Sequence, residues 1–408
     1  MMREDWIEIE LGEILNYVQP TNYIVKDTSY SDNYNTPVLT PGKSFIKGYT
    51  KETDGIYDNL PTIIFDDFTT ASRYVNFPFK VKSSAMKILE PKTSDINLSY
   101  VYYAMQILSV RSDTHKRYWI SVYSKKTIPF PSLPEQSAII SKIEQLFSEL
   151  ENGIANLRSA KEKLEIYRQA VLKKAFEGKF KKHLISEITK KVQIGPFGSQ
   201  LHKAEYITGG IPLINPIHIK NGKICPSDEY SISVEKRNKL PNYILKFNDI
   251  IMGRRGEMGR GAMVTKKEEG WFCGTGSLYL RPLPDLIYSP FLFYYIISPV
   301  VKEQLSGSAA GTTMMNLNKK IINNLYVPLP SIEEQYQIVQ EIETQLSVCD
   351  KLAENINESL EKSEALRQSI LKKAFSGELL TEKELEACKQ EVDWEPAEKL
   401  LERIKKSK

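Results

Sequence analysis

Residues 129–180 recur at residues 328–379 without a gap, so each residue of the first segment has a counterpart 199 positions later. The two segments are identical at 21 of 52 positions, and the identities gather at the two ends. The shared residues at these ends are Pro131, Ser132, Glu135, Gln136, Arg168, Gln169, Leu172–Phe176 and Gly178. The chain is therefore built from two half-proteins in tandem, and a duplicated unit usually means a duplicated target or a pseudo-twofold partner.

Each copy of the repeat is predicted to form one long helix. Ser132–Glu135 and Ser331–Glu334 have the spacing of a capping box, in which a serine and a glutamate three residues later satisfy free amides of the first turn. Gly178 and Gly377 stand where a left-handed C-terminal cap is expected. At 1.5 Å per residue, a helix between these signals spans roughly 60 Å, which is far longer than an average globular helix.

Apolar residues recur along both helices with the 4-3 spacing of a coiled coil, and Lys and Glu flank them. The second copy places Gln345, Cys349 and Ser363 at three positions of this seam. Each helix is the obvious partner of the other, although two separate amphipathic core helices remain an alternative. The predicted seam comprises Ile139, Ile143, Leu146, Leu150, Leu157, Leu164, Ile338, Ile342, Leu352, Ile356, Leu366 and Ile370.

Composition indicates an ordinary globular chain. With 408 residues and 41% hydrophobic content, the chain can bury several cores. The N-terminus is acidic, and the longest apolar stretch, Phe291–Val301, is broken by Ser298 and Pro299, so we expect neither a signal peptide nor a membrane partner. The four cysteines are widely spaced and form no CxxC pair, so we expect neither a disulfide framework nor a metal site. This cysteine usage fits a reducing cytoplasm.

Two globular regions, about 19–127 and 193–326, precede the two helices. Both are predicted to be mixed α/β, because short β-rich runs alternate with turns and each region ends in an aromatic-rich helix, near residues 100–108 and 291–301. The residues that lead into the two regions correspond with an offset of 174. The first half is therefore shorter by 199 − 174 = 25 residues.

Basic and polar clusters are the better functional signal, because a net charge of +4 is too small to indicate nucleic acid by itself. Gly253–Gly261 places three arginines on a glycine-rich loop, whose backbone can approach a phosphate and whose arginines can read guanine. An ordinary solvated turn is the alternative. The candidate DNA-binding residues are Lys43, Arg73, Arg111, His115, Lys116, Arg117, Ser199, Gln200, Lys203, Arg254, Arg255, Arg260, Thr312, Thr313, Asn316, Lys319 and Lys320.

Apparent catalytic motifs fail on inspection. Asn76–Phe79 is similar to the catalytic tetrapeptide of adenine methyltransferases, but a phenylalanine replaces its first proline. Phe272–Gly276 is similar to a loop that holds S-adenosylmethionine, yet an extended segment, Ser277–Leu280, follows where a helix is required. Gly42–Ser44 lacks the leading glycine of a phosphate-binding loop. We therefore expect no catalytic residue, no cofactor and no metal in this chain.

The chain resembles the specificity (S) subunits of type I restriction-modification systems over nearly its whole length. The most specific features are the paired helix starts, Phe130–Gln136 and Leu329–Gln335, and the paired helix ends that read RQxxLKKAFxG. Gly195–Gln200, which opens the second half, belongs to the same pattern. Pro37–Lys43 and Ile64–Ala71 also resemble segments of target-recognition domains in that family.

The resemblance implies α/β (α+β) target-recognition domains, two in tandem, each reading one half of a split double-stranded DNA site and separated by antiparallel conserved helices with pseudo-twofold symmetry. The helices would dock two modification (methyltransferase) subunits, and restriction/translocase subunits would join them. S-adenosylmethionine, ATP and Mg²⁺ would then belong to these partners, and this chain would be a non-catalytic, cytoplasmic subunit.

The predicted division of the chain follows from the repeat. A first target-recognition domain would occupy 1–127, a first spacer helix 128–180, a second target-recognition domain 181–326, a second spacer helix 327–379, and a tail of two short helices 380–408. Two alternatives stay open: the recognition subunit of a type IIG or IIB system, and a coiled-coil assembly scaffold that does not bind DNA.

Overall fold

The fold divides into two compact units. A computed structural model describes residues 3–42, 44–108, 118–255, 259–307 and 317–406. Unit 1 comprises Met1–Leu157 and Glu358–Lys408, and unit 2 comprises Arg158–Asn357. One part of each repeat helix thus belongs to unit 1 and the other part to unit 2. The domain boundaries predicted from the sequence, which keep each helix whole, do not anticipate this division. The linear domain boundaries remain a prediction.

Unit 1 is built on two larger sheets and a two-stranded ladder of β1 with β9. An antiparallel four-stranded sheet has the order β2-β8-β5-β6, and a three-stranded sheet has the order β4-β3-β7, with β3 and β7 parallel. The strands are β1 (Ile7–Glu10), β2 (Leu15–Val18), β3 (Thr36–Leu39), β4 (Ile46–Thr50), β5 (Thr62–Asp66), β6 (Ser72–Val75), β7 (Lys80–Val81), β8 (Met86–Pro91) and β9 (Thr127–Phe130). The helices are α1 (Leu11–Ile14), α2 (Leu98–Met105), α3 (Tyr118–Ser121) and the start of α4 (Leu133–Ala175).

Unit 2 repeats this plan. Its four-stranded sheet has the order β11-β19-β16-β17, and its three-stranded sheet has the order β15-β12-β18, with β12 and β18 parallel. The strands are β10 (Lys182–Leu184), β11 (Thr189–Ile194), β12 (Ile211–Ile214), β13 (Ile219–Lys220), β14 (Lys223–Ile224), β15 (Ser231–Ile232), β16 (Ile250–Gly253), β17 (Gly261–Met263), β18 (Phe272–Cys273), β19 (Ser277–Pro282) and β20 (Tyr326–Pro328). The helices are α5 (Ile185–Ile188), α6 (Val234–Lys239), α7 (Ser289–Ile297), α8 (Pro299–Gly307), α9 (Lys319–Asn323) and the start of α10 (Ile332–Ser376). The tail helices of unit 1 are α11 (Glu382–Lys389) and α12 (Ala397–Lys406).

The globular parts of the two units are structural duplicates, although their sequences have diverged. Besides the shared strand orders, Lys92 N–H donates to Ile14 O in unit 1, and Leu283 N–H donates to Ile188 O in unit 2. Lys92 and Leu283 are therefore equivalent and lie 191 positions apart in the sequence. Equivalent residues of the long helices lie 199 positions apart. The fold class is therefore as expected: two α+β domains in tandem with two long helices.

The two long helices run antiparallel within each unit. In unit 1, Arg367 of α10 donates to Glu151 of α4 over 2.8 Å and lies over the ring of Phe147. In unit 2, Lys161 of α4 donates to Asn357 over 2.8 Å. Further along α4, Arg168 is paired with Asp350, so residue numbers rise on one helix as they fall on the other. These exposed polar pairs contribute little energy each, and the apolar seam carries the packing.

Ten of the twelve predicted seam residues are buried or half-buried, but two members are wrong. Leu352 and Leu366 are 47% and 49% exposed, because the seam of α10 passes through their neighbours Ala353 and Arg367, one residue or about 100° further around the helix. Ile139, Ile143, Leu164, Ile342 and Ile370 are buried in the seam. Leu146, Leu150, Leu157, Ile338 and Ile356 are half-buried.

The ends of the repeat helices pack into the globular cores, which accounts for the identities there. Phe375 meets Tyr100 edge-to-face at 5.3 Å in unit 1, and its counterpart Phe176 meets Phe291 in the same way in unit 2. Gly377 has the predicted left-handed conformation, with φ of 83°, whereas Gly178 does not. Of the described residues, none belongs to a helix that is both long and apolar enough to cross a bilayer.

Candidate nucleic-acid interface

A cleft of about 410 Å³ in unit 2 is formed by three loops and one turn. The loops follow β11, follow β16 and precede β19, and the turn follows β12. The strands are held in register by their ladders, so the loops are fixed at their bases. The lining residues are Pro196, Phe197, Gly198, Leu201, Lys203, Tyr206, Asn215, Tyr230, Arg254, Arg255, Thr275 and Gly276.

Glycines allow these loops to lie against one another. A Cβ atom at Gly195 would lie 1.9 Å from Gly274 O, and one at Gly274 would lie 2.3 Å from Asn215 Oδ1. Both distances are shorter than any real contact, so a side chain at either position would push the loops apart. Gly195 N–H donates to Ser277 O, which closes the first loop onto the start of β19. The loops that form the cleft are therefore packed closely against one another.

Asn215 connects the turn to the loop before β19. Its Oδ1 accepts from Gly276 N–H over 3.2 Å, and its own N–H donates to His218 Nδ1 over 3.1 Å. Burial lowers the pKa of His218, which favours the neutral imidazole that this acceptor role requires. The His218 ring meets Tyr230 edge-to-face at 4.9 Å. These contacts fix the polar wall of the cleft.

Arg254 is a buried part of the frame, which excludes the alternative of an ordinary solvated turn at this residue. Its N–H donates to Gly276 O, its carbonyl accepts from Leu317 N–H, and its Nε donates to Leu317 O over 3.2 Å. Burial lowers the pKa of Arg254, and the neighbouring charge of Arg255 acts in the same direction. A guanidinium remains protonated in proteins, so Arg254 keeps a positive charge in the wall of the cleft.

Arg255 and Lys203 are exposed cations in the lining of the cleft, and Phe197 in the same lining is an exposed aromatic side chain. Arg260 is half-buried, and its Nη1 donates to Pro216 O over 3.4 Å. Lys319 and Lys320 are exposed on α9, two and three residues after Leu317. Leu317 is bonded to Arg254, so Lys319 and Lys320 follow a segment that contacts the wall of the cleft. With Lys203, Arg254 and Arg255 in its lining, the cleft itself is basic.

The remaining candidates divide into three groups. Ser199 and Gln200 are exposed, and Gln200 Oε1 accepts from Tyr243 O–H over 2.7 Å, so part of that side chain holds the fold. Arg73 is exposed on β6 and belongs to unit 1. Lys43, Arg111, His115, Lys116, Arg117, Thr312, Thr313 and Asn316 lie outside the described residues.

Unit 1 has a different surface at the corresponding loop. Asp67 N–H donates to Ala85 O, and Asp67 O accepts from Tyr118 N–H, which matches the bonds of Arg254 residue for residue. The Asp67 carboxylate accepts from Trp119 N–H over 2.7 Å and lies 3.8 Å from Lys87 Nζ. Phe68, at the position of Arg255, is exposed. The acidic group is thus turned inward and an apolar ring faces solvent.

A second groove, of about 460 Å³, lies in unit 1 on the three-stranded sheet. Asn35, Thr36 and Tyr49 give it polar groups, while Pro37, Ile46, Ile56, Phe77 and Pro78 make it mostly apolar. Its chemistry differs from the basic cleft of unit 2, so the two units present unlike surfaces on like frames.

Sequence reasoning missed Asn215, Tyr206, Tyr230 and Thr275, which come from separate loops. The strand order brings these residues together, and only Thr275 belongs to a motif that the sequence analysis considered, the loop Phe272–Gly276. The rejected loop Phe272–Gly276 does lead into a strand, β19, as its sequence predicted. Within the described ranges, no group of three or more His, Cys, Asp or Glu side chains could hold a metal ion.

Comparisons with known proteins agree on one family. The profile described as Type I restriction modification DNA specificity domain matches residues 3–157 and 192–362. The EcoR124I/EcoR124II specificity subunit of Escherichia coli is 32% identical to this chain over 387 residues, which cover 89% of this chain and 92% of that protein. The EcoBI specificity subunit of the same organism is 25% identical over 442 residues, covering 99% and 92%.

Solved structures show the same fold. A chain from a type I restriction-modification system superposes with a TM-score of 0.68 at 19% identity, covering 93% of this chain and 100% of that one. The HsdS subunit from Thermoanaerobacter tengcongensis superposes with a TM-score of 0.55 at 18% identity, covering 93% and 98%. At this identity the likeness concerns the fold alone.

Proposed function

Because the chain belongs to the type I restriction-modification DNA specificity family, we propose that each unit contacts one half of a bipartite DNA sequence. The chain is the specificity subunit, and each of its two family matches falls on one copy of the duplicated plan. The observation that carries the proposal is the basic cleft of unit 2, in which Arg255 and Lys203 stand exposed beside a buried Arg254. Unit 1 would read a different half-site with a less basic surface.

The chemistry of the cleft suits a DNA groove. Exposed Lys and Arg side chains neutralise phosphates, which supplies affinity without sequence information. An arginine that reaches a base edge donates two hydrogen bonds to guanine, and an asparagine can pair with adenine in the same way. Arg255 is the candidate for such readout, because Arg254 is already bonded to Leu317 and Asn215 to Gly276.

We further propose that the chain contributes no catalytic group. Two modification subunits would dock on the long helices and supply S-adenosylmethionine chemistry, and restriction subunits would supply ATP- and Mg²⁺-dependent steps. The exposed apolar side chains Ile166 on α4 and Val348 on α10 support docking along the helices. Calorimetry with the purified chain should accordingly detect no micromolar binding of S-adenosylmethionine.

The experiment for DNA contact compares two variants of the full chain, each of which lacks two positive charges. Both are measured in complex with the modification subunits. Replacing Arg255 and Lys203 by alanine should weaken DNA binding roughly 10- to 100-fold and lower the slope of log K against log salt by about 2. The control replaces Lys266 and Lys267, two exposed lysines of unit 2 outside the cleft. Equal effects of the two pairs would contradict the proposal, and so would unchanged binding by the cleft variant.

A further inference from the structure

The two copies of the helix-start motif have different surroundings. In unit 1, Pro131, Ser132, Pro134 and Glu135 are all buried. Their counterparts in unit 2 are Pro330, Ser331, Glu333 and Glu334, of which only Pro330 is buried. The same sequence motif therefore starts a covered helix in unit 1 and an uncovered one in unit 2.

The tail covers the helix start in unit 1. Cys388 Sγ of α11 lies 3.8 Å from Pro134 O, and Glu384 pairs with Lys142 over 3.0 Å. Burial raises the pKa of Glu135, whereas hydrogen bonds from Ser331 lower the pKa of the exposed Glu334. The capping box predicted for both copies is complete at Ser331 and Glu334, where each residue bonds the other's main chain. At Ser132 the prediction is wrong in part, because the hydroxyl of Ser132 is buried and has no hydrogen-bond partner.

The second tail helix continues this cover over the globular part of unit 1. Leu400 and Ile404 of α12 are fully buried in the core of the unit. Arg403 pairs with Asp95 over 2.6 Å, and Lys405 pairs with Glu13 over 3.1 Å. Because these helices are part of the core of unit 1, the tail is not available to cover another surface.

The corresponding surface of unit 2 is exposed and has a different pattern of charges. The offsets of 174, 191 and 199 place Glu187 at the position of Glu13, Leu286 at Asp95, Glu333 at Pro134 and Glu341 at Lys142. Leu286 is 46% exposed and Tyr336 is 48% exposed, and the ring of Tyr336 packs at a tilt against Tyr288 with ring centroids 4.1 Å apart. We call Glu187, Leu286, Tyr288, Glu333, Tyr336 and Glu341 the helix-start surface of unit 2.

This surface does not fit the tail of a second copy of the chain. Glu384 of such a tail would face Glu341 instead of Lys142, and Cys388, which contacts the main-chain carbonyl of Pro134 in unit 1, would lie beside the exposed Glu333. Arg403 would face Leu286 and lose Asp95, one of its two carboxylate partners, while it kept Glu395 of the tail. Like charges in contact and the loss of an ion pair both oppose binding.

We propose that the helix-start surface of unit 2 binds a helical segment of another polypeptide, one that presents basic residues to Glu333 and Glu341 and aliphatic residues to Leu286 and Tyr336. The segment lies as α11 and α12 lie on unit 1, and a basic residue meets Glu187 as Lys405 meets Glu13. The helix start of unit 1 is thus covered by the chain's own tail, and the helix start of unit 2 is covered by a partner. The inference does not depend on DNA contact.

The test uses two fluorescently labelled peptides and the full chain. One peptide has the native sequence of residues 380–406, and the other carries Glu384→Gln, Cys388→Lys and Arg403→Leu. Glutamine at position 384 keeps the capping box with Thr381, so both peptides retain the same helix signal. Fluorescence anisotropy should show at least tenfold tighter binding of the altered peptide.

Surface variants locate the binding site. Leu286→Asp and Tyr336→Asp should each weaken binding of the altered peptide at least tenfold, while Leu352→Asp, an exposed position of α10 outside the surface, should leave it unchanged. Circular dichroism checks that each variant is folded. The proposal is overturned if the altered peptide shows no binding at about 100 μM, or if the two peptides bind equally. It is also overturned if Tyr336→Asp has no effect, or if ultracentrifugation shows that the surface pairs two copies of the chain.

Discussion

Asp67 in unit 1 and Arg254 in unit 2 occupy the same position of the same loop and carry opposite charges. The N–H of each donates over 3.0 Å to the residue before the last sheet strand, Ala85 or Gly276. The carbonyl of each accepts from a main-chain N–H further along the chain, that of Tyr118 or of Leu317. Main-chain bonds thus hold the loop in both units, so side-chain chemistry can change without a change of fold.

The residue that follows shows what this freedom permits. Phe68 and Arg255 both face solvent, one apolar and one cationic. In unit 1 the charged group is turned inward toward Trp119 and Lys87, while in unit 2 the charges line a cleft. Two frames of the same design therefore offer unlike surfaces, as a protein that reads two unlike half-sites requires.

The largest expected effect is on the stability of unit 1. Asp67→Ala removes the acceptor of Trp119 N–H and leaves the buried Lys87 ammonium without its carboxylate, which should lower the free energy of unfolding by about 3 kcal/mol. Asp58→Ala, at an exposed position of the same unit, serves as the control and should change it by less than about 0.5 kcal/mol. Equal urea denaturation midpoints for the two variants would show that Asp67 does not hold the loop.

A smaller effect is expected when unit 1 is given the charge of unit 2. Phe68→Arg places a cation where Arg255 stands in unit 2, so the slope of log K against log salt for DNA binding should steepen by about 0.9. Phe68→Gln has similar polarity without the charge and should leave the slope unchanged. If the arginine variant also leaves it unchanged, the Phe68 position does not approach the phosphates.

The smallest effect concerns pH and unit 2 alone. The unfolded pKa of His218 is about 6.5, and burial lowers it in the folded protein, so folding releases protons from this group. Its contribution to stability is present above pH 6.5 and is lost as the pH falls through the lower folded pKa. Between pH 7.5 and pH 5.5 the wild type should lose more stability than His218→Gln, by no more than about 1 kcal/mol. Parallel pH profiles would contradict this role.

Much of the fold follows from local signals in the sequence. The long helices, the tail helices and the aromatic helices α2 and α7 were all predicted, because apolar spacing and capping residues lie next to one another in the chain. The misplacement of Leu352 and Leu366 has a simple cause: a leucine one residue from the seam fits a 4-3 pattern nearly as well as the small or polar residue that occupies it.

The site was less predictable, because it depends on contacts between distant residues. Arg254 and Arg255 are adjacent and look alike in the sequence, yet one is buried against Leu317 and the other is exposed. Asn215 joins the cleft only through Gly276, which is 61 residues away. The equivalence of Asp67 and Arg254 is invisible in the sequence, since the residues differ in charge and the loops around them differ in length.

The central claim is that each unit reads its own half of the DNA site, and exchanging one globular region tests it most directly. Residues 19–127 are replaced by the corresponding region of another specificity subunit, and the variant is expressed with the modification subunits. Sequencing the methylated adenines should reveal a new sequence in one half-site and the original sequence in the other. If both half-sites change together, or if neither changes, the two units do not read DNA separately and the account is contradicted.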